Sequence, residues 1–237
     1  TTIESNETII LTMGTPTGAT LGTNTTYTHT ITNDDAAPTI SGRVIDGYVS
    51  GATVFSDLDS DFALDWLDGD GDGIWDLGEG EVWATTDSLG AYTFNTAGNI
   101  SGKIISLGGT DDTTGSAITM LQASAGSAYV TPISTAYVYA EAGTAGAGAT
   151  LLASMGLSTA DLTYDPTTST AANANAVLTI GASMLSVVNS AATLASSIGG
   201  SGTTAAAATV FAEMAKLSVS DLTKLTGSDS TLVGGVL

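Results

Sequence analysis

Ten carboxylates and no basic side chain fall between residues 57 and 81. Twelve of those positions, Asp68-Gly69-Asp70-Gly71-Asp72-Gly73-Ile74-Trp75-Asp76-Leu77-Gly78-Glu79, fit the pattern D-x-D-x-D-G, five residues, then Glu. Aspartates at alternate positions can bend around one hard cation that takes six to eight oxygens, and glycine at the sixth position supplies the sharp turn. Asp68, Asp70 and Asp72 are then side-chain ligands, and Ile74 offers its backbone carbonyl. Asp76 binds directly or through water, and Glu79 closes the shell with two oxygens. Without a cation these five carboxylates repel one another strongly. A merely solvated acidic loop has no need of Gly73 or Glu79, so the chemistry indicated is Ca2+ binding. Just ahead, Asp57, Asp59, Asp61 and Asp65 form a second group, which either holds a further ion or only solubilises the loop, because it lacks the glycine turn and the closing glutamate. Glu81 and Asp87 can contribute from the following strands. Asp111-Asp112 reads as a turn.

Other chemistry is scarce. The 237 residues carry 24 Asp and Glu against four basic residues, Arg43, Lys103, Lys216 and Lys224, for a net charge of −20. Nucleic acid is excluded as a partner, since counterion release needs a basic surface. With no cysteine, disulfides, thiolate catalysis and Cys-based metal sites are absent. The single histidine, His29, cannot build a multi-histidine centre and is expected to pack on the apolar side of a strand. Nothing supplies a nucleophile–base pair, so the chain is not expected to be an enzyme. Trp66, Trp75 and Trp83 bracket the acidic loop. Their expected role is to pack the loop on the fold, with a glycan-stacking platform as the alternative.

Three segments must position these groups. In residues 1–38, Ile9, Leu11 and Met13 share one face of an alternating run, and Tyr27, His29 and Ile31 alternate with threonines. This predicts a β-hairpin, which is unstable alone and must pack on something. In residues 39–125, short apolar runs (40–45, 52–55, 82–86, 91–94, 103–107 and 118–121) are separated by Gly, Asp and Ser turns, as in an antiparallel β-sandwich of Ig-like type. Residues 126–237 are rich in Ala, Ser and Thr with helical spacing: Thr131-Pro132 starts one helix, Ser158 caps a turn, a long helix spans about 170–197, another 209–217, and Ser220 caps a last turn with Leu222 and Leu225. The fold class expected is α+β, with a C-terminal helical subdomain. The run 176–195 is apolar, but Thr179, Ser183, Ser186, Asn189, Ser190 and Thr193 make a buried helix the expectation rather than a membrane span. The chain opens Thr1-Thr2-Ile3-Glu4 with no initiator methionine and no basic or apolar leader, and reads as a processed product or a fragment.

Family resemblances refine this. Glu7-Thr8-Ile9-Ile10-Leu11, Gly18-Ala19-Thr20-Leu21-Gly22 and Thr30-Ile31-Thr32-Asn33-Asp34-Asp35 resemble the closing strands of a Calx-β domain, a calcium-binding β-sandwich. That resemblance covers about the last third of such a domain and implies Asp34 and Asp35 as interdomain calcium ligands. Thr86-Asp87-Ser88-Leu89-Gly90-Ala91-Tyr92-Thr93-Phe94 is similar to the turn-and-strand signature of carboxypeptidase-regulatory-like and collagen-adhesin B-type domains. Those are prealbumin-like sandwiches, common as modules of secreted bacterial surface proteins. The 68–79 loop resembles those of dockerin and EF-hand proteins, although 82–86 reads as a strand where an EF-hand has a helix. Together the resemblances imply an extracellular, calcium-stabilised structural or adhesive module at a bacterial surface. It would self-assemble into a filament or surface layer by donating strands 1–38 to a second copy. The alternatives are a calcium-dependent carbohydrate-binding or cell-attachment module and an accessory domain of a secreted hydrolase.

Overall fold

The computed structural model describes residues 7–32, 39–69, 71, 73, 75–76, 78–95, 100–197 and 203–216. The expected turn at Ser220, Leu222 and Leu225 lies outside them. The chain divides into two units, Thr1–Pro38 and Thr39–Leu237.

The first unit is a hairpin of β1 (Glu7–Thr12) and β2 (Thr26–Ile31), paired antiparallel with Ile9 opposite His29 and Leu11 opposite Tyr27. Directly opposed residues share a face, so this register gathers Ile9, Leu11, Tyr27 and Ile31 on one side and leaves mostly threonine on the other. The apolar side is not covered: Leu11, Met13 and Tyr27 are each 60–61% exposed. His29 is exposed too, stacked on Tyr27 at 6.4 Å between ring centroids. The expectation of a packed histidine is therefore corrected. The alternation that puts His29 among apolar residues is real, but the face it shares meets solvent.

Among its described residues the second unit is mixed α+β, with several sheets of antiparallel strands and four helices. Its strands are β3 (Thr39–Val44), β4 (Val49–Ser50), β5 (Thr53–Asp57), β6 (Trp83–Thr85), β7 (Ala91–Asn95), β8 (Lys103–Leu107), β9 (Thr110–Asp111), β10 (Met120–Ala123) and β11 (Tyr129–Val130). The sheets run β10-β8-β5-β6, β11-β3-β7 and β4-β9. The pairing of β11 with β3 is parallel, a departure from the all-antiparallel expectation. Helices α1 (Pro132–Gly143), α2 (Ala147–Ser154), α3 (Ala174–Ser197) and α4 (Thr203–Met214) follow, with a 3-10 turn at Thr159–Leu162.

One buried cluster unites the unit. Val54, Ile104 and Leu121 of the larger sheet meet Val44, Phe94 and Val130 of the smaller one, and the same cluster continues into Ile133, Leu152, Met184 and Phe211 of the helices. The helical segment is thus continuous with the β core. The opposite face of the larger sheet is buried as well: Phe55, Ile105 and Met120 are covered by Phe62 and Leu64 from the chain after β5, and by Trp83, Tyr139 and Ala208. Burial on both faces explains why β5 reads Val54-Phe55 rather than apolar–polar.

Local signals account for the docking of α1. Thr131 Oγ1 accepts from Ser134 N at 2.9 Å and Thr131 N donates to Ser134 Oγ at 2.8 Å, a complete capping box with Pro132 in the first turn. The hydroxyls of Ser134 and Thr135 also reach the Gln122 carbonyl, at 2.8 and 3.2 Å, and fasten the helix start to β10. At the 3-10 turn the Ser158 N–H and hydroxyl both donate to Asp161 Oδ2, at 2.8 and 3.0 Å. The window Ala174–Ala191 of α3 is long and apolar enough to cross a bilayer, with mean hydropathy 1.3. Its Val177, Met184, Leu185 and Val188 belong to the shared core.

A carboxylate pair outside the acidic loop gives a pH-dependent term. Asp46 is half-buried, and its Oδ1 is buried without a hydrogen-bond partner. Burial, reinforced by the charge of Asp111, pushes its carboxyl from 3.8 to about 6. A raised folded value means that folding favours the protonated acid. The stabilising contribution is full below about pH 4 and is lost as pH rises through 6. Asp46→Asn is therefore expected to stabilise the chain at pH 7.5 by at most about 3 kcal/mol, and to leave it unchanged at pH 4. Chemical denaturation at the two pH values checks this; an equal effect at both would refute it.

Candidate metal centre

The acidic segment leaves β5 at Asp57 and re-enters the sheet at β6. Two glutamates near its end organise it. Glu81, only 3% exposed, accepts from Leu58 N at 2.6 Å through Oε1 and from Asp65 N at 3.1 Å through Oε2. It thereby folds 58–65 back against the following strand. Burial pushes its carboxyl above the ordinary range against the pull of those two N–H donors, with the charges of Asp57 and Asp59 adding to the rise. Glu79 does the same for the second half: Oε1 accepts from Gly69 N at 2.6 Å, and Oε2 from Asp76 N at 3.0 Å and Trp66 Nε1 at 3.3 Å. The N–H groups of Gly69 and Asp76 hold the Glu79 carboxyl below its usual value.

Asp68, first residue of the twelve, accepts from Gly71 N at 2.6 Å and Gly73 N at 2.9 Å. Gly73 has φ +78°, the left-handed conformation that the sharp turn demands. Gly80 is constrained more tightly. It bridges Trp66 at φ +93°, and a Cβ there would stand 2.2 Å from the Asp65 carbonyl oxygen. Of the expected ligands, Asp68, Asp76 and Glu79 lie among the described residues, with Glu79 bonded to the Asp76 backbone. Asp70, Asp72 and Ile74 lie outside them, as do Asp34 and Asp35.

Among the described residues, the carboxylates that converge belong to the preceding group. Oxygens of Asp57, Asp59 and Asp61 lie within 4.8 Å of one another, a cluster that can hold a metal ion. Asp65 does not join it; its backbone serves instead, its N–H on Glu81 Oε2 and its carbonyl receiving Glu81 N at 2.8 Å. Asp57 is 2% exposed, its Oδ1 accepting from Ser60 N at 2.7 Å, while its Oδ2 is buried without a partner. Among the described residues the ion pairs are Arg43–Asp165 and Lys216–Glu213, neither of which touches this segment.

Asp87 and Asp111 stabilise turns. Asp87 Oδ1 accepts from Leu89 N and Ala91 N, and Asp111 accepts from Thr113 N and the Thr114 hydroxyl. The tryptophans pack: the Trp66 and Trp83 rings meet at 4.9 Å, and Trp75 Nε1 donates to Gly80 O at 3.3 Å. Asp46 was not foreseen, because its partner Asp111 is brought near by the β4–β9 pairing, which leaves no pattern in the sequence.

Compared with protein-family models, curated proteins and solved structures, the chain matches none.

Proposed function

We propose that this chain is an extracellular, calcium-stabilised structural or adhesive module of a bacterial surface protein, its two facing sheets forming a prealbumin-like sandwich. The observation that carries the reading is the acidic segment itself. It is folded back on itself through Glu79 and Glu81, it gathers carboxylate oxygens of Asp57, Asp59 and Asp61 within 4.8 Å of one another, and among the described residues no lysine or arginine ion pair relieves those three. A hard divalent cation relieves such repulsion, and its binding free energy becomes folding free energy. Millimolar calcium outside cells fills even a site of roughly 10⁻⁴ M affinity. Thermal unfolding of the full chain in calcium and in chelator tests the proposal; coincident midpoints would overturn it.

The proposal also gives the hairpin a role. Its uncovered apolar face is taken up by a second copy of this chain, as a donated pair of strands. Within the described hairpin Glu7 is the one acidic residue, so the strands themselves add little to the repulsion between two chains that each carry −20. Sedimentation in calcium is expected to show oligomers that Leu11→Lys with Tyr27→Lys reduces to monomer. A wild-type monomer at about 100 μM, far above typical specific dissociation constants, would refute the assembly.

A further inference from the structure

We propose that Asp57, Asp59 and Asp61 bind a divalent cation of the calcium class at a site of their own, separate from the twelve-residue loop 68–79. The proposal deepens the calcium reading and rests on it. Three carboxylate oxygens fall within 4.8 Å of one another. None of the three separations therefore exceeds the span of a Ca2+ ligand shell, in which opposite oxygens at 2.3–2.6 Å from the ion stand roughly 4.6–5.2 Å apart.

The independent observation is Asp57. Its side chain is 2% exposed, and its Oδ2 is shut off from solvent without a donor. A buried carboxylate oxygen left unpaired is costly, and the neighbouring charges of Asp59 and Asp61 add to the cost. Lys103 stands opposite Asp57 in the β5–β8 register but makes no ion pair with it among the described residues. A cation held between the three aspartates supplies the missing partner. Asp59 and Asp61 are exposed, so the ion has a route in from solvent and room for waters to complete its shell. All donors are oxygen, which selects a hard ion over zinc or copper.

The site has a mechanical consequence. Asp57 ends β5, two residues beyond Phe55, and Phe62 and Leu64 pack against the cluster that this phenylalanine forms with Ile105 and Met120. An ion bridging Asp57 to Asp61 pins the start of the acidic segment onto the sheet, independently of what the 68–79 loop binds.

Calorimetric titration of Ca2+ into the chelator-stripped full chain tests this. Wild type is expected to take up two ions. Asp59→Asn with Asp61→Asn keeps the acceptor oxygens that receive Asp61 N and Ala63 N, so the turns survive, and is expected to take up one. Asp61→Asn alone weakens the same site about tenfold. Glu79→Gln, in contrast, weakens the other site and leaves this one intact. If the double variant binds as wild type does while Glu79→Gln loses an ion, the Asp57 site is refuted and the calcium reading stands. If wild type binds no calcium at millimolar concentration, both fall.

Discussion

In about 5 mM calcium the chain is expected to unfold about 10 °C above its midpoint in excess chelator. A site of roughly 10⁻⁴ M affinity at fiftyfold excess ligand contributes about 2.3 kcal/mol, and two such sites about 4–5 kcal/mol. Domains of 150–250 residues gain roughly 2–4 °C per kcal/mol, and the Thr39–Leu237 unit falls in that range. Two controls separate specific binding from screening of the −20 charge. Sodium chloride at matched ionic strength should recover only a minor part of the shift, because general screening does not supply Asp57 Oδ2 with a ligand. Magnesium should fall short of calcium, since it demands near-ideal octahedral geometry and gives up its waters reluctantly. Equal midpoints in calcium and in sodium would leave the acidic segment as a solvated loop.

What the sequence reveals of this centre follows from how far each interaction reaches along the chain. Asp68 accepts from Gly71 and Gly73 a few residues on, so that spacing is readable, and Gly73 takes the left-handed φ that the pattern demands. The Thr131-Pro132 cap and the Ser158 turn are legible for the same reason: each bonds three residues on. Pairing across the fold is not. The run 118–121 reads as a strand, yet the strand is Met120–Ala123, because buried Gln122 lies opposite Ile105 and its backbone N–H and carbonyl meet the Thr135 hydroxyl. An apolar-pattern reading stops at such a residue. Helix α2 was missed because Gly146, Gly148 and small residues obscure its apolar stripe. Gly148 lies so close to Tyr137 that a Cβ there would stand 2.6 Å from the ring. The role of Glu81 hides in the same way, since its donors at 58 and 65 come close only when β5 and β6 pair.

Two phenylalanines separate the stability of the fold from the positioning of the centre. Phe55 and Phe94 are both completely buried, and replacing either with alanine should cost about 3–5 kcal/mol through lost transfer energy and the cavity left behind. Their neighbourhoods differ. Phe94 belongs to the cluster shared by the two sheets, whereas Phe55 belongs, with Ile105 and Met120, to the cluster against which Phe62 and Leu64 of the acidic segment pack. Phe55→Ala removes the largest side chain of the surface on which that segment rests, two positions from Asp57. Phe55→Ala should therefore weaken calcium binding about tenfold in the molecules that remain folded, while Phe94→Ala at matched destabilisation leaves affinity within about twofold; the tenfold loss corresponds to about 1.4 kcal/mol. Chemical denaturation gives the stability of each variant, and calorimetry below its unfolding midpoint gives the affinity. Equal affinity losses in both variants would show that calcium senses only global stability. A loss confined to Phe55→Ala would show that the sheet face under residues 58–66 sets the geometry of the carboxylates, and thereby the strength with which the centre holds its ion.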